Sequence, residues 1–363
     1  MKTSKWARTN LFALAVGVVM AIGLAMLVSA QAPSGQSRGA GTGKGGELKA
    51  ADYQMSEPYT HANLTVFLIY GPNTIVSRNF LTLQEALDQK KVIVFETKSV
   101  NELAIQNLST QDVYVQSGDI VKGGQQDRML GVDLIVPPHS GKIPIAAFCV
   151  EHGRWTKRGN EQAGTFGSSS EVASTRELKL AAKVAQSQGD VWKNVAVAQD
   201  KLSQNVGARV NSAQSESSLQ LAVENPKVQQ TADNYIKELS RIVYTKRNVI
   251  GYVFAINGHV NSADVYASST LFIKLWPKLL RASAIEAVSE LRGDQRSEPV
   301  TQANARKFLS DAEAAAPSEK EVTGGVKLVT REDKDNVFFE TRDAAGAGAG
   351  KDEWVHRNYI KKN

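Results

Sequence analysis

Two polar segments in the first half of the chain carry the side chains best suited to chemistry. One reads GDIVKGGQQDR over residues 118–128, and the other reads CVEHGRW over residues 149–155. Paired glycines let a backbone approach a ligand closely. Carboxylates beside arginines can hold a phosphate or carboxylate group, or act as an acid and a base. The candidate ligand-binding residues are Asp119, Gly123, Gly124, Gln125, Asp127, Arg128, Glu151, Arg154 and Trp155.

The same charges also suit a structural role. If the chain is extended from Gln126 to Val136, Arg128 lies on the face that carries the apolar residues, which should be the buried face. A buried arginine needs a carboxylate partner, and Glu151 and Asp119 are the available candidates. The sequence therefore leaves two interpretations open: a pocket for a small anionic ligand, or an internal ion pair that fixes strand register.

Established catalytic patterns do not emerge from the rest of the sequence. The five histidines are far apart, with no His-x-His or His-x-x-x-His pair, so we expect no histidine metal site. A phosphate loop of the form Gly-x-x-x-x-Gly-Lys-Ser/Thr is also missing. Cys149 is the only cysteine, and we expect it to be buried.

These observations favour a non-catalytic domain that binds a small anionic ligand or a protein partner, without a cofactor or metal. Whether the protein is an enzyme stays open. The alternative is a metal-independent hydrolase acting on a nucleotide, an ADP-ribose-like molecule or another phosphorylated or glycosidic substrate. In that alternative Glu151 or Asp127 is the general acid or base, and Arg128 or Arg154 holds an anion.

The amino terminus has the pattern of an export signal. Lys2, Lys5 and Arg8 precede an uncharged run from Leu11 to Val28, which is followed by small-x-small cleavage patterns. We expect residues 1–30 to be a signal peptide. An uncleaved N-terminal membrane anchor is the alternative, since the run is just long enough to span a bilayer. The protein is then periplasmic or extracellular, and it meets the membrane only through an uncleaved N-terminal segment.

Composition indicates a folded globular protein and gives no sign of a nucleic-acid partner. The 363 residues are 42% hydrophobic and 22% charged. The formal net charge is +6, and three of the positive charges belong to the predicted export signal, so the remainder carries only +3. That excess is too small to predict nucleic-acid binding. Residues 31–50 are predicted to be a flexible linker rich in glycine and serine.

The pattern of apolar residues predicts an α+β domain over residues 51–291. Short apolar runs separated by turn signals predict a β-sandwich or barrel-like core near residues 60–155, with a jelly roll as one form of it. Helical spacing predicts a helical middle section between about 172 and 240. Thr82 and Glu85 are spaced as a capping box that begins a short helix.

Further along the chain, Asn257 and Gly258 lie between two apolar runs and predict a β-hairpin with a type I′ turn. A long helix should follow from about Ser268 to Leu291, kinked or split by Pro277. Residues 292–363 are predicted to be a C-terminal extension with a short β-element.

Together these segments resemble one known family, the ARG and rhodanese-phosphatase-superfamily-associated protein domain. The resemblance runs from about Tyr59 to about Leu291 and rests on residues 82–87, 118–128, 148–155, 251–263 and 271–280. The family name implies an association with ADP-ribosylglycohydrolase-like and phosphatase-like proteins. It therefore points toward nucleotide or ADP-ribose ligands, and it assigns no catalytic residue.

Overall fold

The computed structural model describes residues 48–173, 175–244, 246–291, 298–344 and 352–363. The predicted signal peptide or anchor, and residues 31–47 of the predicted linker, lie outside the described residues. Residues 48–363 cluster as one compact unit.

Eighteen β-strands make up about a third of the described residues. The strands are β1 (Gln54–Met55), β2 (Tyr59–His61), β3 (Leu64–Tyr70), β4 (Leu81–Thr82), β5 (Val92–Ser99), β6 (Glu102–Asn107), β7 (Val113–Val115), β8 (Ile120–Gly123), β9 (Arg128–Leu130), β10 (Leu134–Val136), β11 (Ile143–Cys149), β12 (Thr165–Gly167), β13 (Val249–Ile256), β14 (His259–Tyr266), β15 (Pro317–Val322), β16 (Val326–Glu332), β17 (Asn336–Asp343) and β18 (Glu353–Lys361).

Among the described residues, one short helix follows β4, four helices lie between β12 and β13, and two follow β14. They are α1 (Leu83–Asp88), α2 (Arg176–Leu180), α3 (Gln188–Asn205), α4 (Leu219–Val223), α5 (Pro226–Leu239), α6 (Ser269–Ser289) and α7 (Gln302–Ala314). A π-helical turn over Ala181–Ala185 continues α2.

The strands form a large sheet, a small sheet and a barrel. Within the described residues, the large sheet has nine antiparallel strands in the order β1-β3-β13-β14-β18-β17-β16-β15, with β2 added beside β3. The closed barrel follows the order β11-β6-β5-β12-β8-β9 and is antiparallel throughout. The small sheet joins β10, β7 and β4. The predicted α+β class with a barrel-like core is thus confirmed.

Two apolar cores lie on opposite faces of the large sheet. On one face, Leu68 belongs to a core shared with the barrel and with Trp276 of α6. On the other face, Phe67 and Val253 pack with Phe308 of α7. Successive residues of β3 therefore point into different cores. This is why β3 and β13 are apolar at consecutive positions instead of alternating with polar residues.

Two local predictions from the sequence are confirmed. The Thr82 side chain accepts a hydrogen bond from the Glu85 amide, and the Glu85 carboxylate accepts one from the Thr82 amide. The turn between β13 and β14 places Asn257 at φ 51° and Gly258 at φ 77°. A type I′ turn requires positive φ at both central positions, which this residue pair tolerates.

The structure differs from the sequence predictions in two further places. Residues 126–136 do not form one extended strand, because β9 belongs to the barrel and β10 belongs to the small sheet. Pro277 lies inside the uninterrupted helix α6, so it does not split that helix.

The described part of the predicted C-terminal extension is built into the large sheet. β18 pairs with β14, and β17 and β16 continue the sheet beyond it. Residues 298–363 also supply α7, which covers one face of the sheet. Pairing between strands so far apart in the chain leaves no local pattern, so the sequence could not show that these strands complete the domain. Among the described residues, we find no helix with the length and apolar character needed to cross a bilayer.

A substitution of Gly251 tests how closely β13 packs against β14. A Cβ added there would lie 2.3 Å from the Asp264 carbonyl oxygen and 2.8 Å from the Val265 Cα, both backbone atoms of the paired strand. We expect Gly251→Ala to lower the free energy of unfolding by about 1–3 kcal/mol, as overpacking usually does. Gly141→Ala is the control, since a Cβ there meets nothing within 4 Å. Urea denaturation of both variants checks this; equal midpoints would contradict the expectation.

Candidate functional site

Four of the residues that the sequence singled out, Asp127, Arg128, Glu151 and Arg154, come together beside the barrel. We call Glu96, Asp127, Arg128, Glu151, Arg154 and Arg158 the arginine cluster. Gly123 and Gly124, at φ 117° and 56°, turn the chain from β8 toward β9. A Cβ on Gly124 would lie 2.4 Å from the Phe166 ring. These glycines therefore serve a tight turn and close packing on Phe166.

Asp127 is fully buried at the centre of the arginine cluster. Arg158 donates to both of its carboxylate oxygens, at 2.9 and 3.1 Å, and the Gly123 amide donates to Oδ1 at 3.0 Å. Ser218 contacts Oδ2 at 3.4 Å. Burial raises the pKa of Asp127 above its ordinary value, although Arg158 acts in the opposite direction. Sequence reasoning missed Arg158, because no motif links it to Asp127.

Glu151 is also fully buried, and Arg154 binds it through two hydrogen bonds, as Arg158 binds Asp127. Arg154 Nε and Nη2 each donate to one carboxylate oxygen at 2.7 Å. The Asp127 amide donates to Glu151 Oε2 at 3.3 Å. Burial by itself would raise the pKa of Glu151, but the hydrogen bonds led by Arg154 bring it below its ordinary value.

Arg128 is buried as predicted, but its carboxylate partner is neither Glu151 nor Asp119. Its guanidinium lies 3.5 Å from Glu96 Oε2, and it donates to the Gln126 carbonyl oxygen at 3.2 Å. The prediction of the partner was wrong because Glu96 lies on β5, and only the closing of the barrel brings that strand near Arg128.

The remaining predicted residues lie at the margin of the arginine cluster or away from it. Asp119 forms a separate buried pair with Lys278 of α6, at 2.7 Å. The Gln125 amide donates to Glu96 Oε2 at 3.3 Å. Trp155 has 46% of its surface exposed.

The chemistry open to the arginine cluster follows from this pairing. Arg128, Arg154 and Arg158 each face a carboxylate of the protein, so none is left to neutralise an anion. Both oxygens of Asp127 and of Glu151 already accept hydrogen bonds. The geometry is that of an internal brace. Anion binding and hydrolysis at this cluster stay predictions.

A substitution of Arg158 tests whether the arginine cluster acts as an internal brace. Arg158→Ala leaves Asp127 buried without its bidentate partner, and breaking a buried pair in this way costs about 3–5 kcal/mol of unfolding free energy. Arg209→Ala is the matched control, because the Arg209–Glu216 pair is exposed by 68% and 71% and such pairs contribute about 0–1 kcal/mol. Urea denaturation at pH 7 measures both; a loss for Arg158→Ala no larger than for the control would exclude the brace.

A second polar group, the histidine centre, consists of Lys183, Asp133, Asp264, His356 and Asn358. His356 Nδ1 lies 2.7 Å from Asp133 Oδ2, and Nε2 lies 3.0 Å from Asp264 Oδ1. Asn358 donates to Asp264 at 2.8 Å and accepts from Lys183 at 2.8 Å. No pattern in the sequence connects Asp264 with His356, because the two residues are 92 positions apart.

The two aspartates favour the charged form of His356 by raising its pKa. Burial by itself would lower the pKa of His356, but Asp133 and Asp264 raise it above its ordinary value. The same contacts lower the pKa of both carboxyl groups, against the effect of their burial. With both ring nitrogens hydrogen-bonded to carboxylates, His356 has no free nitrogen to act as a general base. A cavity of about 30 Å³ adjoins it, room for one or two waters.

The charge of His356 predicts how stability depends on pH. Because its pKa is raised in the folded protein, its contribution is complete below about pH 6.5 and declines as the pH rises through the folded pKa. We expect the unfolding free energy of the wild type to fall between pH 6 and pH 9 more steeply than that of His356→Gln. Urea denaturation across this range, with an NMR titration of the wild-type imidazole, measures the difference. Parallel curves would be the contrary result.

The third polar region is an open groove of about 980 Å³ at the tip of the β13–β14 hairpin, which we call the acidic groove. Parts of α2, α6 and α7 border it. Its lining includes five carboxylates and three cationic side chains, namely Glu177, Glu286, Glu290, Glu298, Asp311, Arg176, Lys307 and Lys361. The polar residues Asn257, His259, Asn261, Asn304 and Asn363 also line it.

Two buried oxygens in this lining have no hydrogen-bond partner among the described residues. They are Glu286 Oε2 and Asn261 Oδ1, on residues that are 2% and 7% exposed. Burial raises the pKa of Glu286 above its ordinary value. Buried acceptors are rarely left unpaired, because each one costs desolvation free energy. In the part of the chain that the structure describes, no three His, Cys, Asp or Glu side chains are placed to hold a metal ion.

Comparison with known proteins identifies the family. The profile of the ARG and Rhodanese-Phosphatase-superfamily-associated Protein domain matches residues 52–360. The chain belongs to this family. No curated protein and no solved structure shows significant similarity to it.

The match confirms the resemblance seen in the sequence and extends it past Leu291. The domain of the ARG and Rhodanese-Phosphatase-superfamily-associated Protein family thus includes β15–β18 and all residues of the arginine cluster and the histidine centre. The family name describes an association and states no activity, so the function has to be argued from the geometry.

Proposed function

We propose that this chain is a non-catalytic ligand-binding domain whose ligand occupies the acidic groove. The observation that carries the proposal is the groove itself, an open volume of about 980 Å³ lined mainly by polar and charged side chains.

The other two polar regions support this choice because their charged side chains are already paired with one another. In the arginine cluster each guanidinium is neutralised by a carboxylate of the protein. In the histidine centre both nitrogens of His356 are occupied, and the adjoining cavity has room only for water. Among the described residues of these two regions, the only buried side-chain nitrogen or oxygen without a hydrogen-bond partner is Arg128 Nε, on a guanidinium that already lies 3.5 Å from Glu96.

The size of the acidic groove also suits a small molecule. Its volume of about 980 Å³ lies near the upper end of the range of about 300–1,000 Å³ that is usual for small-molecule sites. The hairpin and the helices that form its walls also contribute side chains to the two apolar cores, and this packing holds the walls in place. The predicted export of the chain stays a prediction, because the structure describes none of residues 1–47.

A thermal-shift screen of the full chain tests the proposal. The panel contains nucleotides, ADP-ribose, phosphosugars, glycans, small amines and divalent metals. A ligand at about 100 times its dissociation constant adds roughly 2.7 kcal/mol, which raises the melting temperature by a few degrees. We expect at least one compound to give this shift, and we expect His259→Trp, which fills the groove from its exposed rim, to abolish it.

Lys334→Trp is the matched control for the groove variant. Lys334 is exposed in the turn between β16 and β17 and does not line the groove. It should keep the full shift. The proposal fails if no compound binds, or if binding survives in His259→Trp as well as it does in Lys334→Trp.

A further inference from the structure

One surface segment carries cationic side chains that no carboxylate of the described residues neutralises. Residues 240–248 connect α5 to β13, and Arg241, Lys246 and Arg247 are exposed there. None of these three cations takes part in an ion pair with another described residue. The arginine cluster is different, because each of its guanidinium groups faces a carboxylate. The three cations of this segment are therefore available to an anionic partner.

The segment is anchored to the protein by its own apolar residues. Ile242 and Val243 are buried in the core that the barrel shares with α6. The Tyr244 amide donates to the Arg241 carbonyl oxygen at 3.1 Å, which closes a tight turn between them. Because the middle of the turn faces the core, the charged side chains and the Tyr244 ring face solvent.

Two large side chains with apolar surface are exposed at the same end of the large sheet. Tyr244 has 63% of its surface exposed, and Val76 has 76%. Val76 lies in the loop after β3, and this loop meets the cationic segment where the Gly71 amide donates to the Asn248 carbonyl oxygen at 3.2 Å. We call the exposed side chains of these two loops the basic patch, namely Val76, Arg241, Tyr244, Lys246 and Arg247.

The chain enters the domain at this end of the sheet. Tyr70, the last residue of β3, pairs with Gln54 of β1 and with Val249 of β13. The Lys246 ammonium lies 5.5 Å from the centre of the Tyr70 ring. The residues before Leu48 include the predicted signal peptide or anchor and most of the predicted linker. In the chain, the end of the sheet with the basic patch thus follows most directly on the predicted membrane segment.

Unpaired cations beside exposed apolar side chains match the chemistry of an anionic lipid surface. Each Lys or Arg near such a surface strengthens binding by about fivefold. A tyrosine ring is suited to the level of the lipid headgroups, since one edge is polar and the rest is apolar. An exposed valine can enter the boundary between headgroups and acyl chains. The basic patch supplies all three kinds of contact.

A nucleic acid fits the basic patch less well than a lipid surface does. Proteins that bind single strands combine a cationic groove along the backbone with several aromatic rings that stack on bases. The basic patch offers one aromatic ring, Tyr244, and its other apolar side chain, Val76, cannot stack on a base. The net charge of +3 outside the predicted export signal is also small for a nucleic-acid-binding protein.

We propose that the basic patch docks the domain on a membrane surface rich in anionic phospholipids, with its cations at the headgroups and its two apolar side chains at the acyl boundary. This contact goes beyond the proposed function and uses no residue of the acidic groove. It adds a contact made by the folded domain to the predicted N-terminal segment. The groove lies at the other end of β13, about 27 Å away for eight residues of strand, so docking leaves it open to solvent.

A dye placed on the basic patch tests this proposal in the full chain. Tyr244→Cys carries the environment-sensitive dye NBD, and Cys149 is fully buried, so it does not compete for the label. With vesicles of equal parts phosphatidylglycerol and phosphatidylcholine, we expect the emission maximum to move to shorter wavelengths. Pure phosphatidylcholine vesicles should give no such shift, and high salt should reverse it because salt screens the charges.

A second dye position separates the basic patch from the rest of the domain. Lys334 is exposed in the turn between β16 and β17, at the other end of the large sheet. The same dye on Lys334→Cys should show no shift with either kind of vesicle. This control holds whether or not the predicted N-terminal segment enters the bilayer, since the dye reports the surroundings of its own residue.

Variants of the basic patch, made in the labelled Tyr244→Cys chain, measure what each kind of contact contributes. Replacing all three cations should raise the lipid concentration that gives half of the shift by about 100-fold, at about fivefold for each charge. Val76→Ser removes apolar contact without changing charge and should raise that concentration several-fold. The combined charge variant is Arg241→Gln, Lys246→Gln and Arg247→Gln.

A matched control removes three exposed cations from other parts of the surface. It should change the half-shift lipid concentration by less than about twofold, because surface charges more than about 10 Å from the lipid are largely screened. Melting curves show whether each variant is folded before it is compared with the wild type. The control combines Lys227→Gln, Lys320→Gln and Lys334→Gln.

Several results would overturn the proposal. One is the lack of a shift with anionic vesicles, and another is an equal shift with anionic and neutral vesicles. Equal losses in the two charge variants would show that net charge, and not the basic patch, attracts the protein to lipid. Binding of a single-stranded oligothymidylate that the patch variant abolishes, with no shift on vesicles, would replace the lipid surface with a nucleic acid.

Discussion

The contact between His356 and its two aspartates is the interaction on which the arrangement of the domain depends. Asp133 lies between β9 and β10, Asp264 lies on β14, and His356 lies on β18. These residues are 223 and 92 positions apart from the histidine in the chain. Charges this deeply buried are tolerated only when they are paired and hydrogen-bonded. The centre therefore forms only when the barrel, the hairpin and the last strand have assembled.

The need to pair buried charges also explains why the charged residues that stand out in the sequence are bound to other protein side chains. A barrel that buries Asp127, Arg128 and Glu151 has to supply a partner for each, and it does so with Arg158, Glu96 and Arg154. Once these pairs have formed, the opposite charges neutralise each other, and the contacts between them hold loops against the barrel. We therefore place the proposed ligand site in the acidic groove.

Local features of the fold were predictable because they are encoded within a few residues. The capping box of Thr82 and Glu85 and the turn at Asn257 and Gly258 depend on neighbouring groups alone. The burial of Arg128 also followed from its place among apolar residues. The identity of its carboxylate partner did not follow from the sequence. Glu96 lies on β5 and comes near Arg128 only when the barrel closes, and residue spacing does not show which strands close a barrel.

The sequence by itself determined the α+β class, the barrel-like core, the helical middle, the hairpin with its long helix, and the family to which the chain belongs. Periodicity and turn chemistry suffice for these, since both act over a few residues. Only the tertiary structure decided which charges neutralise each other, that β18 joins β14, and which residues come together to line the acidic groove. The reason is that partners and unpaired atoms are set by distances between elements remote in the chain.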